Sequence, residues 1–281
     1  MGKNKKKNVG RRKYSRYDNN RVKQHSLKYT NDSSILDESD IEIVVNKILK
    51  FKEEFSSNYM FGKIVKEVFF QILKTFDTRK SSQGKGNNKI YQIVAYGLGS
   101  FSTTNAILQM ACLLYIESLI MKYFSHYKSN HDAETITPAV NSEKNTSYKI
   151  NIDVYDPVMN EIDSSIIRRL NCNPLSKNEE CKRISNEKCL FYVPHGSLEM
   201  YGNLLNLNYK NRKLPNIILF GNSLSSYVIN DELFCNGSQS AKNKSFINNI
   251  TNNILPNTTE YVFHRNKLAS KVVTDDKNMN E

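Results

Sequence analysis

Four times along this chain, a short run of apolar residues ends abruptly in turn residues, and this repetition is the feature that most constrains the fold. Three of the four runs then lead into a segment with helical periodicity. Such repeated β-turn-α units indicate a mostly parallel sheet with helices on both faces, because near-continuous apolar strands are buried on both sides. The pattern therefore predicts a three-layer, Rossmann-like α/β domain.

Each predicted strand ends in its own short motif. The strands are Ile90 to Tyr96, Ile150 to Tyr155, Cys189 to Val193 and Asn216 to Phe220, followed in turn by Gly97-Leu98-Gly99-Ser100, Asp156-Pro157, Pro194-His195-Gly196 and Gly221-Asn222-Ser223. Helices are predicted after the first three, from about Thr104 to Phe124, Glu161 to Leu170 and Leu198 to Leu207. Loops at the carboxyl ends of parallel strands share one edge, where ligands bind. We therefore expect the four motifs to meet.

The domain is predicted to occupy residues 89–265. Residues 39–88 form a prelude of two amphipathic helices and a loop, and both helices are expected to pack on the domain. Inside it, the polar stretch 125–148 is predicted to be a surface insertion, and 236–259, biased to Asn and Ser, a low-complexity segment. A short strand from Tyr261 to Phe263 is expected to return to the sheet. Residues 266–281 are predicted to be a disordered C-terminus.

The formal net charge of +12 is concentrated in a basic N-terminal tail. Residues 1–38 contain few apolar side chains and are predicted to be disordered, whereas the domain is nearly neutral. The tail is either a solvated arm, a nuclear address, or a loose contact for RNA through its phosphates. The expected location is accordingly the cytoplasm, the nucleus or both, and nucleic-acid contact is expected only through the tail.

Neither a membrane nor a metal is predicted as a partner. The most apolar run, Ala106 to Met121, is interrupted by Gln109 and Glu117 and falls short of the ~20 residues that span a bilayer, so a buried helix is predicted. No signal peptide is evident, and the protein is expected to stay inside the cell. The five cysteines lack metal-ligand spacing and are expected to be reduced thiols.

The four motifs, in this order, resemble the sensitivity-to-red-light-reduced (SRR-like) family. The resemblance rests on Tyr96-Gly97-Leu98-Gly99-Ser100, Tyr155-Asp156-Pro157, Tyr192-Val193-Pro194-His195-Gly196 and Gly221-Asn222-Ser223. It implies an intracellular regulatory protein with protein partners, in a family named for plant light signalling and linked to clock control and, in animal relatives, to haem metabolism. It implies no particular reaction. The family's usual Pro-His-Cys has become Pro194-His195-Gly196, which argues against a required thiol beside that histidine.

Gly97 and Gly99, between a strand and a helix, begin a dinucleotide fingerprint in which backbone N–H groups approach a phosphate. Ser102 stands where the third glycine belongs, so a tight turn explains the two glycines equally well. Asp156 ends the second strand, where Rossmann-like proteins place an acid on a ribose hydroxyl. A nucleotide-like or S-adenosylmethionine-like ligand is therefore one expectation, and its identity stays open.

His195 lies at a strand end between Pro194 and Gly196, a position that favours exposure. An imidazole gains or loses a proton near neutral pH and so suits acid-base chemistry. The alternative is a histidine that only hydrogen-bonds its own loop. His195 and Asp156 are the candidates for catalysis, and Glu199 is placed to reach the same edge.

Gly221-Asn222-Ser223-Leu224-Ser225 resembles a nucleophile elbow without its last glycine. A catalytic triad would need Asp231 or Glu232 together with His264, and nothing in this spacing predicts the mutual geometry that defines a triad. Asn222 and Ser223 are therefore expected to hydrogen-bond a ligand or the turn itself.

These observations leave three functions open. The first is a regulatory protein, with little or no catalysis, whose sheet edge binds a ligand or partner through Gly97, Gly99, Ser100, Asp156, His195, Asn222 and Ser223. The second is an enzyme that uses a nucleotide or S-adenosylmethionine-like cofactor, with Asp156 on the ribose and His195 as general base. The third is an adaptor for protein partners, which predicts no small ligand.

Overall fold

A computed structural model describes residues 38–57, 60–78, 90–131, 148–230, 240–264 and 267–272. All of them fall within one compact unit that spans Ser33–Glu281. The predicted basic tail lies outside the described residues apart from residue 38, as do the loop at 79–88 and most of the predicted insertion, residues 132–147. Asp231 and Glu232 also lie outside them.

The centre of the fold is a five-stranded, all-parallel sheet. Its strands are β1 (Gln92–Tyr96), β2 (Asn151–Tyr155), β3 (Asn173–Pro174), β4 (Cys189–Val193) and β5 (Ile217–Gly221), in the order β3-β2-β1-β4-β5. The predicted Rossmann-like α/β fold is confirmed, and the four predicted strands agree with the observed ones to within two residues. Strand β3 was not predicted, because two residues without an apolar run leave no pattern in the sequence.

Four helices cover the first face of the sheet. They are α1 (Glu38–Ser57), α2 (Met60–Thr78), α3 (Thr104–His131) and α4 (Glu161–Arg169). The apolar side chains of α1 and α2, among them Ile48, Phe69 and Leu73, join a core that includes Ile93 and Ala95 of β1. The two N-terminal helices therefore pack on the domain, as the amphipathic pattern predicts.

Helix α3 is the central helix of this core. Its segment Thr104–Ser125 is long and apolar enough to cross a membrane by length and composition. In the structure, however, Met110, Leu113 and Ile116 are fully buried in the domain core, which agrees with the expected buried helix. The helix continues to His131, into the stretch predicted as an insertion, because an established helix extends at little cost through polar residues.

Three helices cover the second face, namely α5 (Leu198–Lys210), α6 (Leu224–Ile229) and α7 (Ser240–Asn249). Helix α7 and the π-helical turn that continues it, Ile250–Ile254, lie in the Asn-rich segment assigned to low complexity. Within this Asn-rich composition, four side chains of the segment are buried in the second core: Phe246, Ile247, Ile250 and Ile254. Their helical spacing was hidden by the many asparagines around them.

The C-terminal strands form a separate hairpin. Strand β6 (Glu260–His264) pairs antiparallel with β7 (Lys267–Val272) in a two-stranded sheet. The strand expected over Tyr261 to Phe263 thus exists but does not return to the main sheet. Part of the C-terminus predicted to be disordered, Lys267–Val272, is also strand. Its short, mixed sequence shows no strand pattern, and pairing with β6 supplies its backbone hydrogen bonds.

The chain crosses the second face between β3 and β4 as a segment without helix, Leu175–Lys188, which we call the crossover segment. Arg183 anchors it: its Nη1 donates to Asp153 Oδ2 of β2 at 2.6 Å, and its Nε and Nη2 donate to Glu179 at 2.8 and 2.6 Å. Glu179 also accepts from the hydroxyl of Tyr96, the last residue of β1. This ion network ties the segment to two neighbouring strands.

The four described cysteines, Cys112, Cys172, Cys181 and Cys189, are all buried free thiols. Burial raises the pKa of Cys112 to about 11 and the pKa values of the other three to about 12. We expect iodoacetamide at pH 8 to leave all four unlabelled in the native protein, because the thiolate is the reactive form. Peptide mass spectrometry checks this, with labelling in guanidinium chloride as the control. Rapid native labelling of Cys181 would instead show that the crossover segment opens.

Candidate functional site

The four motifs lie together at the carboxyl edge of the sheet. The register pairs Tyr96 with Tyr155, so the next residues, Gly97 and Asp156, are neighbours. It also pairs Val193 with Gly221, which places Pro194-His195-Gly196 beside Asn222. The structure thus brings the four predicted turn motifs to one edge.

The strand order reverses at the middle of this edge, between β1 and β4. The chain leaves β1 toward α3 on the first face, and it leaves β4 toward α5 on the second face. In open α/β sheets the crevice between two such diverging connections is the usual ligand site. We call its two walls the glycine loop (Gly97–Thr103) and the histidine loop (Pro194–Ser197).

The glycine loop is held by Asp156. Gly97 and Gly99 have positive φ angles of 76° and 79°, a conformation that side chains beyond glycine rarely adopt. The N–H of Gly99 donates to Asp156 Oδ2 at 2.8 Å, and the N–H of Val158 donates to Asp156 Oδ1 at 2.9 Å. Asp156 therefore joins the loops after β1 and β2.

A second carboxylate, Asp163, holds the rest of the glycine loop and was missed from the sequence. It is 2% exposed, and its Oδ1 accepts from the N–H of Phe101 at 2.9 Å and from Ser100 Oγ at 3.3 Å. It also forms a capping box with Asn160 at the start of α4. The spacing Asn160-x-x-Asp163 is a capping signal that could have identified it.

The loops after β4 and β5 are joined by the fully buried Tyr201 of α5. Its hydroxyl donates to the carbonyl of Val193 and accepts from the N–H of Asn222 at 2.8 Å. Burial raises the pKa of Tyr201 to about 12, so the hydroxyl keeps its proton. The Asn222 side chain donates in turn to the carbonyl of Gly196 at 3.3 Å. Sequence reasoning assigned Tyr201 no such role.

Glycine is required at two positions beside Tyr201. A Cβ on Gly196 would lie 2.7 Å from Val193 Cγ1, and a Cβ on Gly221 would lie 2.5 Å from the Tyr201 hydroxyl. Both distances are shorter than a carbon contact allows, so any larger side chain must displace the buried ring. The glycine at position 196 therefore matches the packing of this chain.

Ser223 serves as the N-cap of α6, with its Oγ accepting from the N–H of Ser226 at 3.2 Å. Ser225 donates to the carboxylate of Glu260. Both hydroxyls therefore have structural partners within the turn and the hairpin. Ser223 thus hydrogen-bonds its own turn, whereas Asn222 hydrogen-bonds the histidine loop and the tyrosines of α5 and α6.

His195 differs from its neighbours in that its side chain is exposed and has no hydrogen-bond partner among the described residues. Two residues later, Ser197 caps α5 by accepting from the N–H of Met200 at 3.2 Å. A methyl group built on Gly97 would lie 3.9 Å from Met200 Cε, so the start of α5 approaches the glycine loop closely. Glu199, on the same turn of α5, pairs with Lys242 of α7. His195 thus lies in the loop after β4 as an exposed residue.

Among the residues that the structure describes, no group of three or more His, Cys, Asp or Glu side chains is arranged to hold a metal ion. The polar groups at the edge are instead the imidazole of His195 and the carboxylate of Asp156, beside loop amides most of which donate within the chain. Such a set can bind and orient a small molecule through hydrogen bonds, and the imidazole can exchange a proton with it.

Comparison with known proteins gives a family match over most of the chain. The model of the SRR1 domain family matches residues 61–278. The chain is 42% identical over 77 residues to Protein SENSITIVITY TO RED LIGHT REDUCED 1 of Arabidopsis thaliana, covering 27% of this chain and 28% of the relative. It is 37% identical over 71 residues to the SRR1-like protein of Mus musculus, covering 25% of this chain and 28% of the relative. These alignments thus span little more than a quarter of each relative. No solved structure matches the chain.

Proposed function

This chain belongs to the SRR1 domain family, and from that premise we propose that it is a regulatory protein that responds to a small ligand bound at the crevice between its glycine and histidine loops. The ligand sits at the carboxyl edge of the sheet, against His195 and Asp156. The bound ligand bridges the two loops, which belong to opposite halves of the edge, and so changes the surface that a protein partner meets.

The exposure of His195 is the observation that carries this proposal. Its neighbour Gly196 is fixed by Asn222 and by the buried ring of Tyr201, so the histidine loop is rigid. A rigid loop that presents an unpartnered imidazole at a topological switch point is arranged for a contact outside the chain. A histidine that served only its own loop would have a partner there.

The relatives suggest the setting of this regulation. The name of the Arabidopsis relative refers to sensitivity to red light. The resemblance to the family also implies a link to clock control and haem metabolism. We propose that the chain acts in a process of this kind, in the cytoplasm, the nucleus or both, through protein partners. Its basic tail adds loose, salt-dependent attraction to nucleic acid.

An enzyme is the second candidate, favoured by the position of Asp156. This carboxylate follows β2, which is the position of the ribose-binding acid in a Rossmann-like enzyme, and it lies beside the glycine loop. In that case His195 acts as general base on a substrate bound beside a nucleotide or S-adenosylmethionine-like cofactor. The two candidates differ in turnover: the enzyme forms product, and replacing His195 abolishes product while the cofactor still binds.

A thermal-shift screen of the full chain tests the proposed ligand site, using nucleotides, S-adenosylmethionine, haem and divalent metals. A true ligand at a hundredfold excess over its Kd adds about 2.7 kcal/mol of stability, which raises Tm by roughly 5–10 °C in a domain of this size. We expect His195→Ala to abolish that rise while leaving the Tm of the free protein unchanged, because the side chain is exposed and unpartnered.

The matched control is Glu187→Ala, an exposed residue at the opposite end of β4. It should keep the full ligand response. A panel in which no compound raises the Tm would contradict the ligand site and favour an adaptor for protein partners. A response that survives His195→Ala would place the ligand elsewhere on the chain.

A further inference from the structure

Five of the seven amides of the glycine loop, those other than Leu98 and Ser100, are already engaged within the protein. In a dinucleotide-binding loop these N–H groups point at phosphate oxygens. Here six of them, in the loop and the first turn of α3, donate to acceptors of the chain itself at 2.8 to 3.3 Å: Gly97, Gly99, Phe101, Ser102, Thr103 and Ala106. A phosphate arriving at this loop would have to displace existing hydrogen bonds.

Two of those acceptors are carboxylates, and their negative charge disfavours an anionic ligand group at the glycine loop. Asp156 accepts from Gly99, and Asp163 accepts from Phe101, so each takes the place that a phosphate oxygen occupies in a phosphate-binding loop. No Lys or Arg occurs in the glycine loop, in 156–160, in the histidine loop or in 221–223. A bound phosphate would therefore meet the negative charge of Asp156 without a cation from these loops to offset it.

Asp156 nevertheless keeps capacity to accept further hydrogen bonds. Each of its oxygens receives one N–H, from Gly99 and from Val158. A carboxylate offers about four lone-pair sites, so hydroxyl or amino donors of a ligand can still bind to it. The carboxylate thus favours donor groups, neutral or positively charged, at the position where it disfavours phosphate.

We propose that Asp156 is the specificity-determining residue of this site, and that it selects a ligand that presents hydroxyl or amino donors to the glycine loop and carries no phosphate there. This inference rests on the proposed ligand function. It narrows the ligand to a polyol, nucleoside or amine type and excludes di- and triphosphate nucleotides bound through the loop.

The test is a gain of phosphate binding when Asp156 is replaced. Pyrophosphate is titrated calorimetrically into the full-length wild type, Asp156→Ala and Asp156→Asn. The alanine variant frees the N–H of Gly99 and removes the charge, and we expect it to bind pyrophosphate at least about tenfold more tightly than the wild type does. The asparagine variant removes the charge but keeps an acceptor for the N–H of Gly99, so its pyrophosphate affinity should rise by less. Because it preserves the loop's hydrogen bond, it replaces the alanine variant in the test if that variant fails to fold.

Glu161→Gln is the matched control, since it removes one exposed negative charge near the same edge without touching the glycine loop. It should show no gain. The assignment of specificity to Asp156 would be overturned if Glu161→Gln and Asp156→Ala gained pyrophosphate affinity equally. It would also be overturned if neither replacement of Asp156 gained any. Tight pyrophosphate binding by the wild type would overturn it too, yet would leave the ligand site standing. If no compound raises the Tm in the thermal-shift screen, the proposed ligand function fails, and the pyrophosphate titration still reports separately whether Asp156 keeps phosphate off the glycine loop.

Discussion

Replacing Arg183 with methionine is expected to lower the free energy of unfolding by about 3 kcal/mol. Its side chain is 22% exposed, and its partners Asp153 and Glu179 are 15% and 28% exposed. The replacement leaves both half-buried carboxylates without the guanidinium that pairs with them, and it releases the crossover segment from β2. Urea denaturation measures the loss, which should also lower Tm by roughly 6–12 °C.

The pH dependence of this effect gives a sharper test. Burial raises the pKa of Glu179, but hydrogen bonds from Arg183 and Tyr96 outweigh it, and the net pKa is lowered. A carboxyl with a lowered folded pKa stabilises the protein above its unfolded value of ~4.3, and this contribution is lost as the pH falls through the folded pKa. The difference between wild type and variant should therefore be full at pH 7 and shrink below about pH 4.

Arg183→Lys serves as the control for charge, because it keeps one positive charge but cannot reach both carboxylates with a planar fork. It should recover part of the lost stability. The ion network would have no stabilising role if Arg183→Met changed the unfolding free energy by less than about 0.5 kcal/mol, which is the range of ordinary surface substitutions.

Replacing Phe246 with alanine is expected to cost about 3 to 4 kcal/mol of unfolding free energy, as large truncations in a core do. The ring is 5% exposed and packs closely on α5, since a Cβ on Gly202 would lie 3.3 Å from it. The loss should appear in urea denaturation as a lower midpoint with an unchanged slope.

The control for this variant lies two residues away. Asn248→Ala removes an exposed side chain from the same helix and should change stability by less than about 0.5 kcal/mol. If Phe246→Ala were equally mild, α7 would add little to the core, and the low-complexity interpretation of 236–259 would describe the segment better than the fold does.

The sheet was predictable from the sequence because its strands carry their own signal. Cys189 to Val193 is apolar throughout and is buried on both faces, so periodicity and turn residues located it without help from the rest of the chain. The same argument predicted that the four turn motifs meet, because the carboxyl ends of parallel strands share one edge of the sheet. The helices that follow β1, β2 and β4 were also found within a few residues at their starts.

Features that depend on contacts between distant segments were not predictable. Asp163 lies in a helix start, and only the folded chain shows that its carboxylate holds Phe101. The crossover segment has no periodicity, and its order comes from Arg183 and from the buried Asn208 of α5, which bonds Ser185 and Arg183. In α7 and the π-helical turn that continues it, four apolar residues among asparagines give a weak local pattern, and the helix is stabilised by packing in the second core.

The central position of β1 has a consequence for the growing chain on the ribosome. Both neighbours of β1 come later in the sequence. Strand β2 can cover one edge of β1 once Asn151–Tyr155 is made, but the other edge stays open for the whole interval from Gln92 to Cys189. At typical synthesis rates of 5–20 residues per second that interval lasts roughly 5–20 s. During it an apolar strand with unpaired backbone groups invites association with other chains. Nascent chains that stop before Cys189 should therefore need chaperones, whereas chains that have passed Gly221 hold every strand of the main sheet.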